Sequence, residues 1–148
     1  MINRVFSNRQ RKQMRIHPPE AWQSHAPGSF MLFGEHAVLE GFPAIACAID
    51  HWLHIDWELG SWQSQEVHIL SNLAEHHTNW EKLTEHPNLS FVMAGLAWLR
   101  DYLAQFPNIR LPELTIRIRS DINSTQGLGS SSAVMAALFV GFSHLLPQ

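Results

Sequence analysis

Cysteine is almost absent from this sequence, and the hydrophobic segments that direct proteins to membranes are missing. The single cysteine, Cys47, excludes an internal disulfide framework and favours a reducing compartment. The N-terminus lacks the apolar core of a signal peptide. The apolar run of residues 133–146 is shorter than the about 20 residues that a membrane-spanning helix needs. We therefore expect a cytoplasmic protein that does not enter a membrane.

Charged residues are also few, at 16% of the 148 residues, and the formal net charge is −3. This balance gives no general argument for nucleic-acid or membrane binding. Half of the lysines and arginines nevertheless lie in residues 1–18. We expect residues 1–18 to form a basic, disordered tail and residues 19–148 to form one domain with a hydrophobic core. An RNA-binding arm is the alternative function for this tail.

Hydrophobic periodicity predicts an α+β protein in which helices cover one face of a mixed sheet. Strands are expected at residues 29–33, 44–59, 66–72 and 113–121. Residues 74–88 are polar, and we expect them to be irregular with a helical turn. A helical stripe follows, with Ser90 as its N-cap and Pro107 as its stop. The last helix is expected to begin near Ser130.

The sequence STQGLGSSSAV, residues 124–134, lies between the last strand and the last helix. Gly127 and Gly129 allow positive φ angles and a close backbone approach to a ligand. Serines follow where the first amides of a helix have no acceptor within the helix, which favours an anion site. Ordinary turn and capping chemistry is the alternative interpretation. A Walker loop is excluded because no lysine follows the glycines, and a Rossmann loop because its third glycine would be Ser132.

A second stretch of the sequence, residues 26–49, makes the interpretation of the glycine loop more specific. Residues 26–49, APGSFMLFGEHAVLEGFPAIACAI, together with residues 120–134, resemble the first two motifs of the GHMP kinases, and of mevalonate kinases in particular. The resemblance extends from residue 26 to about residue 146. It implies the N-terminal domain of that superfamily: a ribosomal-protein-like mixed sheet backed by helices, with a left-handed βαβ crossover and with the C-terminal domain absent from this chain.

The resemblance also implies a chemistry, namely transfer of a phosphoryl group from ATP to the hydroxyl of a small molecule in isoprenoid precursor synthesis. Ser131 would help to hold Mg²⁺, and Glu35 and His36 would line the side of a mevalonate-like alcohol. The implied ATP contacts are Ser120, Thr125, Gln126, Gly127, Leu128, Gly129, Ser130 and Ser131.

Several departures from the family pattern accompany this resemblance. Ser29 replaces the family lysine, while Asn123 and Thr125 replace a proline and a glycine of the second motif. The family's catalytic aspartate lies in the second half, so no catalytic residue is assigned in this chain. We expect no turnover by this chain alone, and either a second-half chain or self-association through the apolar last helix. A non-catalytic remnant or binding module is the alternative function.

Overall fold

The architecture is a five-stranded sheet with two α-helices on one face. The structure is a computed structural model, and it describes residues 16–123 and 127–147. The strands are β1 (Ala21–Phe33), β2 (Ile45–Leu59), β3 (Glu66–Ser71), β4 (Glu75–Asn79) and β5 (Leu114–Ser120). The helices are α1 (Ser90–Leu103) and α2 (Ser130–Phe142), and short 3₁₀ helices occupy Ala37–Glu40, Pro87–Leu89 and Ser143–Leu145. None of the helices within these ranges is long and apolar enough to cross a bilayer.

The strand order across the sheet is β1-β2-β5-β3-β4. β3 and β5 are parallel, whereas the three other neighbouring pairs are antiparallel. The expected mixed sheet is therefore confirmed. The parallel strands are joined through β4 and α1, because a parallel pair needs a crossover connection. The left-handedness of this crossover stays a prediction.

Alternation along β2 and β5 separates a buried face of the sheet from a solvated one. Ile55 and Ile116 point inward and are fully buried. On the opposite face, Arg117 pairs with Glu58 at 2.7 Å. Arg119 and Asp56 pair across the same two strands. The sequence pattern predicted both faces correctly, because one face of an antiparallel pair packs on the core while the other meets water.

Helix α2 packs against β1 and β2 through Gly141 and two tryptophans. Gly141 lies against the ring of Trp57, which is almost completely buried. The Trp57 indole nitrogen donates a 2.8 Å hydrogen bond to the hydroxyl of Ser24. Trp22 stacks on Trp57 with ring centroids 5.5 Å apart, and its indole nitrogen donates to the Gly141 carbonyl at 3.1 Å. These contacts fix the orientation of α2 on the sheet and hence the position of its first turn.

The expectation that residues 74–88 are irregular was wrong for their first part. Residues 75–79 form the edge strand β4, which pairs with β3 along its whole length. Only Thr78 of this strand is buried. A polar edge strand has little hydrophobic alternation, because one edge and most of its side chains meet water. The periodicity of the sequence therefore gave no strand signal here.

The boundaries of two other elements also differ from expectation. Helix α1 begins at Ser90, but its N-cap is Leu89, because the 3₁₀ helix that starts at Pro87 leads directly into it. The helix ends at Leu103, before Pro107, although Phe106 still packs into the core. Strand β1 starts at Ala21, eight residues earlier than expected, since its buried positions Ser24, Ala26 and Gly28 are small and gave no hydrophobic stripe.

Candidate functional site

Strands β1 and β2 form a long ribbon that bends beside the N-terminus of α2. Their register shifts between Pro27 and Gly28, where the partner residue moves from Trp52 to Ile49. Such a bulge bends the strand and increases its twist. Immediately after the bend, the backbone amide of Ser29 donates a 3.0 Å hydrogen bond to the carbonyl oxygen of Leu128. The two motifs recognised in the sequence therefore touch in the folded chain.

The contact between the two motifs depends on glycine. Gly127 and Gly129 have φ angles of +67° and +68°, in the left-handed region. A Cβ atom on Gly129 would collide with the Ser29 hydroxyl and would lie 3.0 Å from the Ser29 carbonyl oxygen. A Cβ atom on Gly28 would lie 2.9 Å from the Leu128 carbonyl oxygen. The close approach of loop and strand therefore requires the absence of these side chains.

Helix α2 opens directly after this glycine loop. Gly129 is its N-cap and has no side chain with which to accept hydrogen bonds from the first turn. The bond from the Ala133 amide to the Gly129 carbonyl, at 2.9 Å, joins the cap to the helix. The amides before Ala133 have no acceptor within the helix, and the helix dipole adds partial positive charge there. This geometry is suited to binding an anionic oxygen.

A cavity of about 330 Å³ lies next to the first turn of α2. It is bounded by the starts of both helices and by the ends of β3 and β5. Its wall is largely apolar, with hydroxyl and amide groups at a few positions. The residues that define its chemistry are Ser120, Ser130, Ser131, Val134, Asn72 and Phe91. An apolar cleft with a few converging polar groups is the usual form of a small-molecule site.

Most of the ATP contacts expected from the sequence lie in this region. Ser120, Ser130 and Ser131 line the cavity. The hydroxyl of Ser120 also accepts a 3.1 Å hydrogen bond from the Ile122 amide, which turns the chain out of β5. Gly127, Leu128 and Gly129 form the loop beside Ser29. Two expected contacts, Thr125 and Gln126, lie outside the described residues.

Glu35 and His36 lie elsewhere, on the turn that joins β1 to β2. Gly34 opens this turn with a φ of +87°, and the Val38 amide donates to its carbonyl at 2.9 Å. Both side chains are exposed. Neither lines the cavity in the described part of the chain. The ribbon thus connects them to the glycine loop through Ser29 without bringing them into the cavity.

The sequence did not single out the side of the cavity opposite α2. Asn72 and Leu73 belong to the tight turn between β3 and β4, in which the Ser71 hydroxyl accepts from the Leu73 amide at 3.1 Å. Asn88 and Phe91 lie at the start of α1. The predicted strand included Ser71 and Asn72, and this Ser-Asn pair at its end was the available signal of that turn. Its proximity to α2 follows from the sheet order and could not be seen in the sequence.

The cavity has few charged groups to offer a metal or a phosphate. Among residues 16–123 and 127–147, no lysine, arginine or carboxylate lines it. Across residues 16–123 and 127–147, no group of three His, Cys, Asp or Glu side chains could hold a metal ion. Hydroxyl oxygens are suitable ligands for Mg²⁺, which keeps several waters and shares substrate phosphates. Ser131 therefore fits such an ion as one oxygen ligand, and substrate phosphates and waters would supply most of the others.

The fold and its glycine loop define a class of protein. Residues 90–148 match the family described as "GHMP kinases N terminal domain". The chain has the fold of that domain, and it superimposes on a crystal structure of the Methanococcus jannaschii mevalonate kinase with a TM-score of 0.67 and 26% identity. The superposition covers 84% of this chain and 39% of that structure.

Within this class, the chain is similar to mevalonate kinases. It is 32% identical over 112 residues to the mevalonate kinase of Archaeoglobus fulgidus. This match covers 76% of this chain and 34% of that protein. It is also 35% identical over 104 residues to the homoserine kinase of Staphylococcus epidermidis, covering 68% of this chain and 29% of that protein. The chain spans about a third of the length of these curated relatives.

Proposed function

We propose that this chain is the ATP-binding half of a mevalonate-kinase-like small-molecule kinase. The whole enzyme would transfer the γ-phosphoryl group of ATP to an alcohol in isoprenoid precursor synthesis. One observation carries this proposal. The first turn of α2 opens onto a cavity directly after two left-handed glycines, Gly127 and Gly129, and the loop between them is hydrogen-bonded to Ser29.

The geometry supports a linear arrangement of the substrates. The nucleoside would occupy the apolar cavity beside Val134 and Phe91. The phosphates would lie at the first amides of α2 and along the glycine loop, where the helix dipole favours negative charge. The acceptor alcohol would then lie toward the ribbon, whose turn carries Glu35 and His36. Phosphoryl transfer needs little more than this positioning and the neutralisation of charge.

The described residues around the cavity offer little positive charge to neutralise the phosphates of ATP. No lysine or arginine of the described residues lines the cavity, and Ser29 is neutral where the first motif of the family has lysine. Mg²⁺ would supply positive charge at Ser131, and the rest would have to come from a second half of the kinase. We therefore propose weak ATP binding and no turnover by this chain alone.

The acceptor is proposed to be a mevalonate-like alcohol. The sequence GEHAV, residues 34–38, favours this acceptor among the kinases of the superfamily. The relatives include both a mevalonate kinase and a homoserine kinase, which act on different small alcohols by their names.

A non-catalytic binding module is the second candidate, and the neutral Ser29 favours it. Such a module would keep the fold and the cavity without chemical turnover. The tail proposed as an RNA-binding arm lies, for residues 1–15, outside the described residues. No contact of the described residues adds support to that third function.

Partner binding through the last helix also belongs to this proposal. Phe139 and Val140 of α2 are exposed, and Phe139 contacts the half-exposed Trp98 of α1 with ring centroids 4.8 Å apart. Contiguous exposed apolar patches are a feature of protein interaction sites. We propose that a second-half chain or a second copy covers this face.

Thermal unfolding with MgATP tests the nucleotide site. We expect MgATP to raise the melting temperature, since a ligand at 100 times its Kd adds about 2.7 kcal/mol to the free energy of unfolding. Ser131→Ala should reduce this gain and its dependence on Mg²⁺. Ser132→Ala is the matched control, because Ser132 is exposed and does not line the cavity. No stabilisation at millimolar MgATP, or equal effects of the two substitutions, would reject the proposed site.

A further inference from the structure

Histidines lie in ring contact at three places in the described part of the chain. The pairs are His25 with His54, His68 with His77, and His76 with His86, and their ring centroids are 5.8, 4.4 and 5.2 Å apart. Neutral imidazole is a common ligand of Zn²⁺ and Cu²⁺. Two imidazole rings that share a zinc ion lie about 5 Å apart, because each Zn–N bond is about 2 Å long. Each pair is therefore close enough to be considered as a metal site.

Hydrogen bonds already occupy the pair of His76 and His86. The Nδ1 atom of His86 accepts a hydrogen bond from the Asn88 amide at 3.3 Å. A neutral imidazole has one nitrogen lone pair, so the other nitrogen of His86 carries a proton and cannot bind a metal ion. The Nε2 atom of His76 lies 3.0 Å from the Thr84 carbonyl oxygen, to which it donates. Metal binding by this pair would require the loss of the bond to Asn88.

A positive charge lies beside the pair of His25 and His54. His54 on β2 is directly opposite Arg119 on β5, and both side chains leave the same face of the sheet. The guanidinium of Arg119 is bonded to Asp56 at 2.7 Å, which holds it against these strands. A fixed cation repels a divalent metal ion. This pair is therefore poorly suited to bind one.

The pair of His68 and His77 lies on the face of the sheet away from the helices. The two residues are direct partners in the register of β3 and β4, so their side chains leave the same face. Val67 and Ile69, on either side of His68, are fully buried on the opposite face. His77 is exposed. A small rotation of its ring would bring the separation from 4.4 Å to the distance that a shared ion requires.

Glu75 determines which nitrogen of His77 is free. Its Oε1 atom lies 3.1 Å from the Nε2 atom of His77. An ionised carboxylate only accepts hydrogen bonds, so Nε2 carries the proton and Nδ1 carries the lone pair. A carboxylate that holds the far nitrogen of a histidine in this way orients the ring and makes it a stronger metal ligand. Among the described residues, none hydrogen-bonds to either ring nitrogen of His68.

The other charged groups around this pair favour a cation. Glu66 precedes His68 by two residues on β3 and therefore lies on the same face. Arg117 on β5 is the cation of this face next to β3, but it is bonded to Glu58 of β2 at 2.7 Å. Its charge is thus neutralised on the side of β5 away from β3. Glu66 and Glu75 leave the surroundings of the two imidazoles acidic, which favours a divalent ion.

We propose that His68 and His77 bind a divalent transition-metal ion of the Zn²⁺ class, which joins β4 to β3. Two imidazoles are fewer than the four ligands of a closed zinc site, so water would complete the coordination. The ion would stabilise an edge strand of which only Thr78 is buried. It would also restrain the turn between these strands, which lines the cavity through Asn72 and Leu73. The proposal does not require that the chain bind ATP.

The test uses the untagged 148-residue chain, freed of metal with a chelator that is then removed, and Zn²⁺ alone as the probe. Titration calorimetry measures the affinity, and thermal melts measure the stabilisation. We expect Zn²⁺ to raise the melting temperature and Mg²⁺ to leave it unchanged, because Mg²⁺ prefers oxygen ligands. His68→Gln and His77→Gln should each lower the Zn²⁺ affinity by about tenfold or more and remove the melting shift. Glu75→Gln should lower the affinity by about tenfold.

His25→Gln is the matched control, because it breaks another histidine pair on the same face of the sheet. It should leave the Zn²⁺ affinity and the melting shift unchanged. His77 carries the test if His68→Gln fails to fold, since the side chain of His77 is 55% exposed. Unchanged Zn²⁺ affinity in His77→Gln would overturn the proposal, and so would an equal loss in His25→Gln. A melting shift of the same size with Mg²⁺ alone would also overturn it.

Discussion

The amide of Ser29 on β1 donates a 3.0 Å hydrogen bond to the carbonyl of Leu128 in the glycine loop. The contact joins the edge strand of the sheet to the loop that precedes α2. The loop cannot move away from β1 without losing this bond, and a bulkier residue at position 129 would force the two apart. The position of the first turn of α2 is therefore coupled to the bend in the β1–β2 ribbon.

The coupling predicts a specific effect of Gly129→Ala. An alanine at a left-handed φ costs about 1–2 kcal/mol in any setting, and at position 129 its Cβ would also collide with Ser29. We expect a loss of more than about 2 kcal/mol in the free energy of unfolding, combined with loss of the MgATP-dependent melting shift. Chemical denaturation and thermal melts with and without MgATP measure the two effects.

Gly41→Ala is the control for this substitution. Gly41 has a φ of +82°, but nothing lies within 4 Å of the position that a Cβ atom would take there. Gly41→Ala should lower the free energy of unfolding by the conformational cost alone, about 1–2 kcal/mol. It should keep any MgATP-dependent melting shift. Equal effects at positions 41 and 129 would show that contact with Ser29 is not what demands glycine.

The packing of α2 on the sheet predicts that Gly141→Ala destabilises the protein. A Cβ atom there would collide with the Trp57 ring and would lie 2.6 Å from its indole nitrogen. The better helix propensity of alanine offsets roughly 1 kcal/mol of this cost. We expect a net loss of about 2 kcal/mol, because Trp57 is buried and has little room to move.

Gly95→Ala in α1 provides the comparison. Its Cβ would lie 3.0 Å from a terminal methyl of Leu138, a flexible group that can shift. The gain in helix propensity and the tighter packing should then nearly cancel, leaving stability within about 0.5 kcal/mol of the original protein. A destabilisation by Gly95→Ala as large as that by Gly141→Ala would contradict the role assigned to Trp57.

The buried pair of Ser24 and Trp57 predicts a cost for Ser24→Ala. Ser24 is 1% exposed, and its hydroxyl accepts a hydrogen bond from the Trp57 indole nitrogen at 2.8 Å. Removal of this hydroxyl would leave the buried indole N–H group without this acceptor, which lowers the free energy of unfolding by about 1–3 kcal/mol. Ser64→Ala is the control, since that hydroxyl accepts from the Glu66 amide at an exposed position. Urea titrations should show a clearly larger loss for Ser24→Ala, and parity between the two variants would argue against the pair.

Strong local patterns predicted the central part of the fold. Ile55 and Ile116 alternate with charged residues, and this period of two specified both the strands and the buried face. The apolar run after Ser130 likewise specified α2, whose first residue agrees with the prediction. Strand β4 was missed, because its polar side chains carry no periodic signal and its existence depends on a neighbour, β3.

The candidate site was likewise predictable from the sequence only in part. Gly127 and Gly129 could be assigned to a turn before a helix, since glycine is the residue that adopts positive φ without strain. The cavity partners Asn72 and Phe91 could not be found, because they come from elements distant in sequence that the sheet order brings to α2.

The sequence by itself determined the local conformations of this protein: the alternation of its strands, the glycine turn and the start of its last helix. Each depends on residues within a few positions of one another, whose steric and hydrophobic preferences act before the chain is folded. Only the tertiary structure decided that β1 meets the glycine loop, that both helices share one face, and that the β1–β2 ribbon continues beyond its neighbour β5. Those outcomes depend on contacts between distant segments, which form only when the whole core is packed.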